Sequence, residues 1–315
     1  MAGINITCIR ALWRCLIATG NSKITIGNNK KTAAIVDIIG SSLKYPNKVL
    51  KSVKTIIIDK IGTISFLDGV NFSEETKTFE RITSDENIDF LFSIGGDGTL
   101  LKAVTYVRES NIPILGINTG RLGFISSIST DQIDVAVDNV LKGEYKIRSR
   151  TILQLETENN LFGTTNFALN EVAIVKKDTS SMIRIDAFID DEFLNSYWAD
   201  GLLISTPTGS TGYSLSCGGP IILPGTENII IAPIAPHNLN VRPIVIDDDS
   251  VVKLKVEDRD QLALVSLDSR SRAFDSDTEL IIKKANFKIR LIQPQNNSFA
   301  ATIRNKLMWG LDKRS

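Results

Sequence analysis

Cysteine and histidine are scarce in this 315-residue chain, which holds three cysteines, Cys8, Cys15 and Cys217, and a single histidine, His237. Three scattered thiols make neither a disulfide framework nor a paired CxxC metal site, so a reducing, cytoplasmic setting is expected. One histidine excludes a multi-histidine metal centre. Any metal is then a hard cation held by oxygen, with magnesium the natural candidate. An excess of one charge is also lacking, since 36 basic residues cancel 36 acidic ones. That leaves no broad electrostatic footprint for nucleic acid, and no such partner is expected. Long apolar runs are absent too: none approaches the roughly 18 residues of a membrane span, and no membrane partner is expected. Residues 1–22 mix apolar positions with Arg10 and Arg14. A secretory signal has an unbroken apolar centre, so this stretch is treated as an extension of unknown role.

Hydrophobic residues make up 43% of the chain and charged ones 23%, which is the composition of a packed globular protein. The length suits about two domains of roughly 150 residues each. From residue 23 the texture is α/β, with a strand expected over 24–26, a helix over 32–43 and a strand over 55–58. A strand over 90–94, a helix over 100–108 and a strand over 112–117 form a βαβ unit with a short crossover, hence a parallel sheet. Beyond a helix over 131–141 the runs become short and β-like, at 152–156, 166–175, 183–189, 202–205, 251–256 and 262–267. A last helix is expected over 300–309. The expected architecture is an α/β N-terminal domain with a parallel sheet over 23–125 and a β-rich C-terminal domain over 126–285. Residues 286–315 are expected to pack back on the first domain.

Two segments carry chemistry. In Gly95-Gly96-Asp97-Gly98-Thr99, glycines between a strand and a helix let backbone N–H groups approach a ligand, and the helix start adds its positive dipole end. An anion is expected there, phosphate above all. Asp97 is the anomaly, because a carboxylate repels phosphate unless a cation or a hydroxyl proton lies between. The pattern has neither the Lys-Ser/Thr ending of the Walker loop nor the dinucleotide G-x-G-x-x-G spacing. In open parallel sheets ligands bind beyond the carboxyl ends of strands, so this turn and the loop 118–123 should share one site.

The second segment runs from Asp200 to Pro220 and is crowded with Ser, Thr and Gly. Small hydroxyl residues serve helix caps and phosphate or ribose contacts equally well. With Asp200 and Tyr213 beside them, they favour a polar ligand with sugar and ring components. Asn170-Glu171 is a polar pair inside an apolar run, either a solvated edge or a site. His237, in a proline-rich loop, is not an evident base. Asp247-Asp248-Asp249 is expected to be a solvated turn without chemistry.

Taken together, Gly95–Thr99, the Asn118-Thr119-Gly120-Arg121-Leu122-Gly123-Phe124 run, Asn170-Glu171, the Asp200–Ser216 segment and the 233–243 loop resemble the signature blocks of NAD kinases, in the right order. The C-terminal Arg304-Asn305-Lys306-Leu307 resembles bacterial members of the Bacteroidetes type. The resemblance implies a two-domain subunit assembled as a homodimer or homotetramer. It also implies transfer of the ATP γ-phosphoryl group to the 2′-hydroxyl of the adenosine ribose of NAD. On that basis Asp97 is the expected general base, and Gly95, Gly96, Gly98 and Thr99 hold the ATP phosphates. Mg2+ arrives with ATP, with no single residue assigned to it. Asp97, Gly98, Phe124, Asn170, Glu171, Asp200, Thr208, Thr211, Gly212, Tyr213 and Ser216 are the expected NAD contacts. Phe124 would line the adenine pocket, Asn170 and Glu171 would bind ribose hydroxyls, and Asp200 would meet the nicotinamide end. Many members carry Asp-Gly-Gln where this chain has Asp268-Ser269-Arg270, which leaves that loop without a role. Lipid kinases and 6-phosphofructokinases share the Gly-Gly-Asp-Gly element, so a kinase for another hydroxyl is one alternative. A non-catalytic dinucleotide-binding regulator is another.

Overall fold

The computed structural model of the chain describes residues 33–37, 64–67, 88–120, 123–126, 128–177, 182–257, 262–294 and 298–308. Phe90, Leu91, Phe92, Ser93 and Ile94 are all buried, as residues of a strand covered on both faces of a parallel sheet must be. They belong to a parallel array of β1 (Ala33–Asp37), β2 (Ile64–Leu67), β3 (Phe90–Gly95), β4 (Ile114–Asn118) and β5 (Ile128–Ser129). Two helices cover it. Leu91 and Ile114 meet Leu100, Ala103 and Val104 of α1 (Asp97–Val107). Phe92, Ile94, Leu115 and Ile117 meet Ile133, Val137 and Val140 of α2 (Ile133–Lys142). Side chains alternate along β3, so one strand feeds two cores.

β6 (Tyr145–Arg150) also belongs to this sheet, but it is separated from β4 by one strand. The chain first builds two antiparallel sheets of six strands each. One contains β7 (Leu153–Glu156), β8 (Phe167–Ala168), β10 (Ile183–Ile189), β11 (Glu192–Ala199), β15 (Val252–Glu257) and β18 (Leu280–Lys284). The other contains β9 (Glu171–Lys176), β12 (Gly201–Ser205), β13 (Asn228–Ile234), β14 (Ile244–Asp247), β16 (Leu262–Leu267) and β17 (Arg270–Asp275). Leu155, Ile185 and Leu254 of the first sheet share a core with Ile174, Ile204 and Val265 of the second. The alternation of buried and half-buried residues along β10 is that of a strand with one inward face. Only then does β19 (Ile289–Pro294) return to the first sheet, parallel to β4 and antiparallel to β6.

The α/β first part with a parallel sheet and the β-rich second part are both present. Several local expectations change. Residues 33–37 are a strand, where a helix over 32–43 was expected. A short apolar run with β-branched Ile35 and Val36 is ambiguous by periodicity, and pairing with two neighbours decides it. The remainder of that helix and the strands expected over 24–26 and 55–58 lie outside the described residues. The strand expected over 166–175 is broken after Ala168, for a reason that belongs to the site below. α2, β5 and β6, all past residue 126, pack or pair with the first sheet, so the texture change comes near residue 150. Asp248 is not solvated: it is buried, forms an ion pair with Lys284 and accepts a hydrogen bond from Thr151 Oγ1 at 3.4 Å. Among the described residues no helix is long and apolar enough to cross a membrane.

Candidate functional site

The turn after β3 leads directly into α1, with Gly96 as the N-cap residue. The amides of Thr99 and Leu100 donate to Gly96 O at 3.0 and 3.3 Å. Helix geometry leaves the earlier amides, those of Asp97 and Gly98, available to a ligand. Gly96 and Gly98 are exposed, and the space where their side chains would stand is open.

The Asp97 side chain does not lie across that opening. Its Oδ2 accepts from the Phe124 amide at 2.8 Å, and its Oδ1 from the amides of Ile125 at 3.2 Å and Ser126 at 2.9 Å. A carboxylate has about four acceptor positions. Three are occupied, and the one left is on Oδ2. The loop after β4 is thereby clamped to the helix start, and the two loops expected to share a site do meet. Gly123 is required by this contact, because a methyl group there would sit 1.8 Å from Asp97 Oδ1.

A second carboxylate repeats the arrangement. Asp268, in the turn between β16 and β17, accepts from the amides of Leu169 at 3.0 Å, Asn170 at 2.8 Å and Glu171 at 3.2 Å. Its own amide donates to Glu171 O at 3.0 Å. Turning those three amides toward one carboxylate takes Leu169 and Asn170 out of the ladder, which is why the strand breaks between β8 and β9. Burial pushes the Asp268 carboxyl up, although the three amides and Arg270 oppose it. Arg270 is spent on structure, donating to Thr165 O at 2.5 Å and to Phe167 O.

Glu171 is 9% exposed. Burial, and then the negative charge of Asp268, push its carboxyl up to about 8, against a backbone hydrogen bond from Tyr213. Glu171 Oε2 and Asn170 Oδ1 are buried without a partner in the protein. A buried acceptor left unpaired costs about 1–3 kcal/mol, so a site that holds two is one built for a ligand's hydroxyl groups.

The hydroxyl-rich segment packs against this pair. Much of its polarity is internal: Thr206 Oγ1 donates to Leu169 O at 2.6 Å, Ser205 Oγ to Asn170 O at 3.2 Å and Ser210 Oγ to Pro207 O at 2.7 Å. Gly209 lies so close to Asn170 that a methyl group would sit 2.2 Å from its carbonyl oxygen. Beyond the turn, Gly212 borders Glu171 Oε2, 3.3 Å from where a side chain would begin. Tyr213 opens α3 (Tyr213–Ser216) and is 43% exposed. Its phenol is pushed up by burial first, then by Cys217, Asp200 and Glu171. Asp200 forms an ion pair with Lys176 at 2.6 Å.

The structure therefore gathers Asn170, Glu171, Gly212 and Tyr213 within reach of one another, with Asp200 beside Tyr213. Thr208 is buried, and its carbonyl accepts from Thr211 Oγ1 at 3.4 Å. Ser216 stands at the exposed end of α3, outside these contacts. Asp97 with Gly95, Gly96, Gly98, Thr99 and Phe124 forms the first group. The two groups back onto one apolar cluster, in which Leu100 and Ile125 pack with Phe167 and Leu169. Among the described residues no three of His, Cys, Asp and Glu converge as metal ligands. His237 is exposed, and its backbone amide donates to Trp198 O at 2.8 Å. The role that sequence reasoning missed is that of Asp268, marked in the sequence only as the acid at the place of the Asp-Gly-Gln that many NAD kinases carry.

Comparison with known proteins agrees in both halves of the chain. The ATP-NAD kinase N-terminal domain matches residues 24–145, and the ATP-NAD kinase C-terminal domain matches residues 169–294. The NAD kinase of Cytophaga hutchinsonii is 52% identical over 238 residues, covering 76% of this chain and 82% of that protein. That of Christiangramia forsetii is 51% identical over 239 residues, covering 75% and 81%. Among solved structures, yeast NADH kinase complexed with NADH superposes with a TM-score of 0.75 at 23% identity, covering 90% of each chain. An NAD kinase from Archaeoglobus fulgidus in complex with ATP gives 0.67 at 25% identity, covering 88% of this chain and 97% of that one. With both domains matched in order and half the aligned residues shared with its bacterial relatives, this chain belongs to the ATP-NAD kinase family.

Proposed function

We propose that this protein transfers the γ-phosphoryl group of ATP to the 2′-hydroxyl of the adenosine ribose of NAD, giving NADP, with Asp97 as the general base. The observation that carries the assignment is the Asp97 carboxylate, fixed by three amides with one acceptor position left on Oδ2, beside an open glycine turn. A bond forms between the ribose 2′-oxygen and the γ-phosphorus, the bond from that phosphorus to the β–γ bridging oxygen breaks, and the hydroxyl proton passes to Oδ2. A positioned base contributes about 10²–10⁴-fold. Gly95, Gly96, Gly98 and Thr99 cradle the phosphates, since phosphoryl transfer depends mainly on positioning and charge neutralisation.

Phe124 lines the adenine pocket, Asn170 and Glu171 hold ribose hydroxyls, and Asp200 meets the nicotinamide end. Thr208, Thr211, Gly212, Tyr213 and Ser216 complete the dinucleotide site. The unpaired Asn170 Oδ1 and Glu171 Oε2 support that division. Mg2+ would come in on the triphosphate with phosphate and water as its ligands and no residue of the chain assigned to it, because the one open position of Asp97 is taken by the hydroxyl proton. Beside Asp97 and Thr99, that ion would neutralise phosphate charge. A homodimer or homotetramer is the assembly in keeping with this reading, and Phe193 and Trp198, exposed on the edge strand β11, offer apolar surface for it. A cytoplasmic setting follows from the reducing chemistry that few, scattered cysteines imply.

The test is NADP formation from NAD, ATP and magnesium, read through an NADP-specific dehydrogenase, with Asp97→Asn in parallel. Activity in the wild type and a loss of about 10²–10⁴-fold in the variant is the expected result. An Asp97→Asn protein at wild-type rate would remove the base assignment. A folded wild type that binds NAD without making NADP would favour a regulator.

A further inference from the structure

The last helix, α4 (Phe299–Leu307), is capped by Ser298, whose Oγ accepts from the Ala301 amide at 3.1 Å, and is anchored by buried Thr302 and Ile303. Its final turn carries Arg304 and Lys306. Lys306 is half-buried, and its Nζ lies 4.6 Å from the centroid of the Phe124 ring. The amide of the same Phe124 donates to Asp97 Oδ2. One aromatic residue thus touches the expected base with its backbone and an ammonium group with its ring. Among the described residues no carboxylate forms an ion pair with Lys306. An ammonium half withdrawn from water and held on an aromatic face keeps its charge available for an anion.

We propose that Lys306 is a phosphate-binding residue of this site, its ammonium holding the phosphoryl group once that group is on the 2′-oxygen of the adenosine ribose. The proposal rests on the reading of Phe124 as a wall of the adenosine pocket. Negative charge arrives beside Asp97, already a carboxylate, so the acceptor side needs a cation that stays after the nucleotide donor has gone. A lysine suits that task, because it is a compact charge on a flexible stem and can follow a group that moves. An arginine with its planar fork would fix one geometry.

The experiment is calorimetric titration of NAD and of NADP into the full-length wild type, Lys306→Gln, Lys306→Arg and Phe124→Ala, each checked for folding by circular dichroism. Loss of one charge-assisted contact to phosphate predicts that Lys306→Gln weakens NADP binding about tenfold and NAD binding less than about twofold. Lys306→Arg should recover most of the NADP affinity. Equal effects on the two dinucleotides, or none, would overturn the proposal, since a lysine that merely packs on Phe124 cannot distinguish a 2′-phosphate. Phe124→Ala keeps the two readings apart. If it weakens both dinucleotides while Lys306→Gln is unselective, only the lysine assignment falls; if it weakens neither, the adenosine pocket lies elsewhere and the proposal falls with it.

Discussion

Replacing Glu171 by glutamine keeps the size and the buried position and removes one ionisation. In the folded protein the Glu171 carboxyl is held at about 8, against an ordinary 4.5. Between those values the folded state keeps a proton that the unfolded chain has released. The stability this contributes is complete below about pH 4.5 and is lost progressively as pH rises to about 8. One retained proton gives a slope of about 1.4 kcal/mol per pH unit, so wild type should lose on the order of 3–4 kcal/mol between pH 5 and 8 from this group. Glu171→Gln should lack that loss. Urea unfolding of both proteins at pH 5, 6, 7 and 8 measures it, the informative quantity being the difference between their slopes against pH. A neutral Glu171 is also the form that can donate a proton to a ribose oxygen, so the wild-type KM for NAD should rise above pH 8 while that of Glu171→Gln stays flat. Parallel stability curves for the two proteins would refute the reasoning, because they would mean that Glu171 is ionised throughout.

The two carboxylate clamps make distinct predictions. Asp268→Asn replaces one acceptor oxygen by an amino group facing backbone N–H groups; it should cost about 1–3 kcal/mol and raise KM for NAD, with KM for ATP unchanged. Steady-state kinetics with each substrate varied in turn reads the split, and an equal rise in both would argue for a general loss of structure. Gly123→Ala forces a methyl group against Asp97 Oδ1; it should cost about 1–3 kcal/mol by overpacking and lower kcat by displacing the base. Thermal unfolding and kcat measured together would show whether both fall.

Local chemistry was legible in the sequence. Phe90 to Thr99 holds strand, turn and helix start within one short stretch, so the glycine turn and the place of Asp97 follow from residue types alone. Asn170-Glu171 stood out as a polar pair in an apolar run. What the sequence could not carry was pairing at a distance. The Asp268 clamp joins residues 97 to 99 positions apart, and nothing in Asp268-Ser269-Arg270 names its partners. Residue types alone left the hydroxyls from Ser205 to Ser210 open between caps and ligand contacts, and those of Ser205, Thr206 and Ser210 are bound to the backbone of Asn170, Leu169 and Pro207. Residues 33–37 failed for the same reason: five residues with two possible periods are settled by their neighbours in the sheet, not by themselves.

The place of β19 sets a timetable for the chain's synthesis. It fills the gap between β4 and β6, strands that were made about 140 residues or more earlier. Until residue 294 has left the ribosome, β6 lacks its partner in this sheet and β4, paired on that side only with the two residues of β5, keeps unpaired groups at its start, the kind of surface that recruits other chains. The two antiparallel sheets come off the ribosome complete, while the sheet that begins first is finished last. The glycine turn sits at the end of β3 beside β4, in the sheet that is completed last. A partial chain holds the phosphate motif in its sequence without the braced frame that turns it into a site.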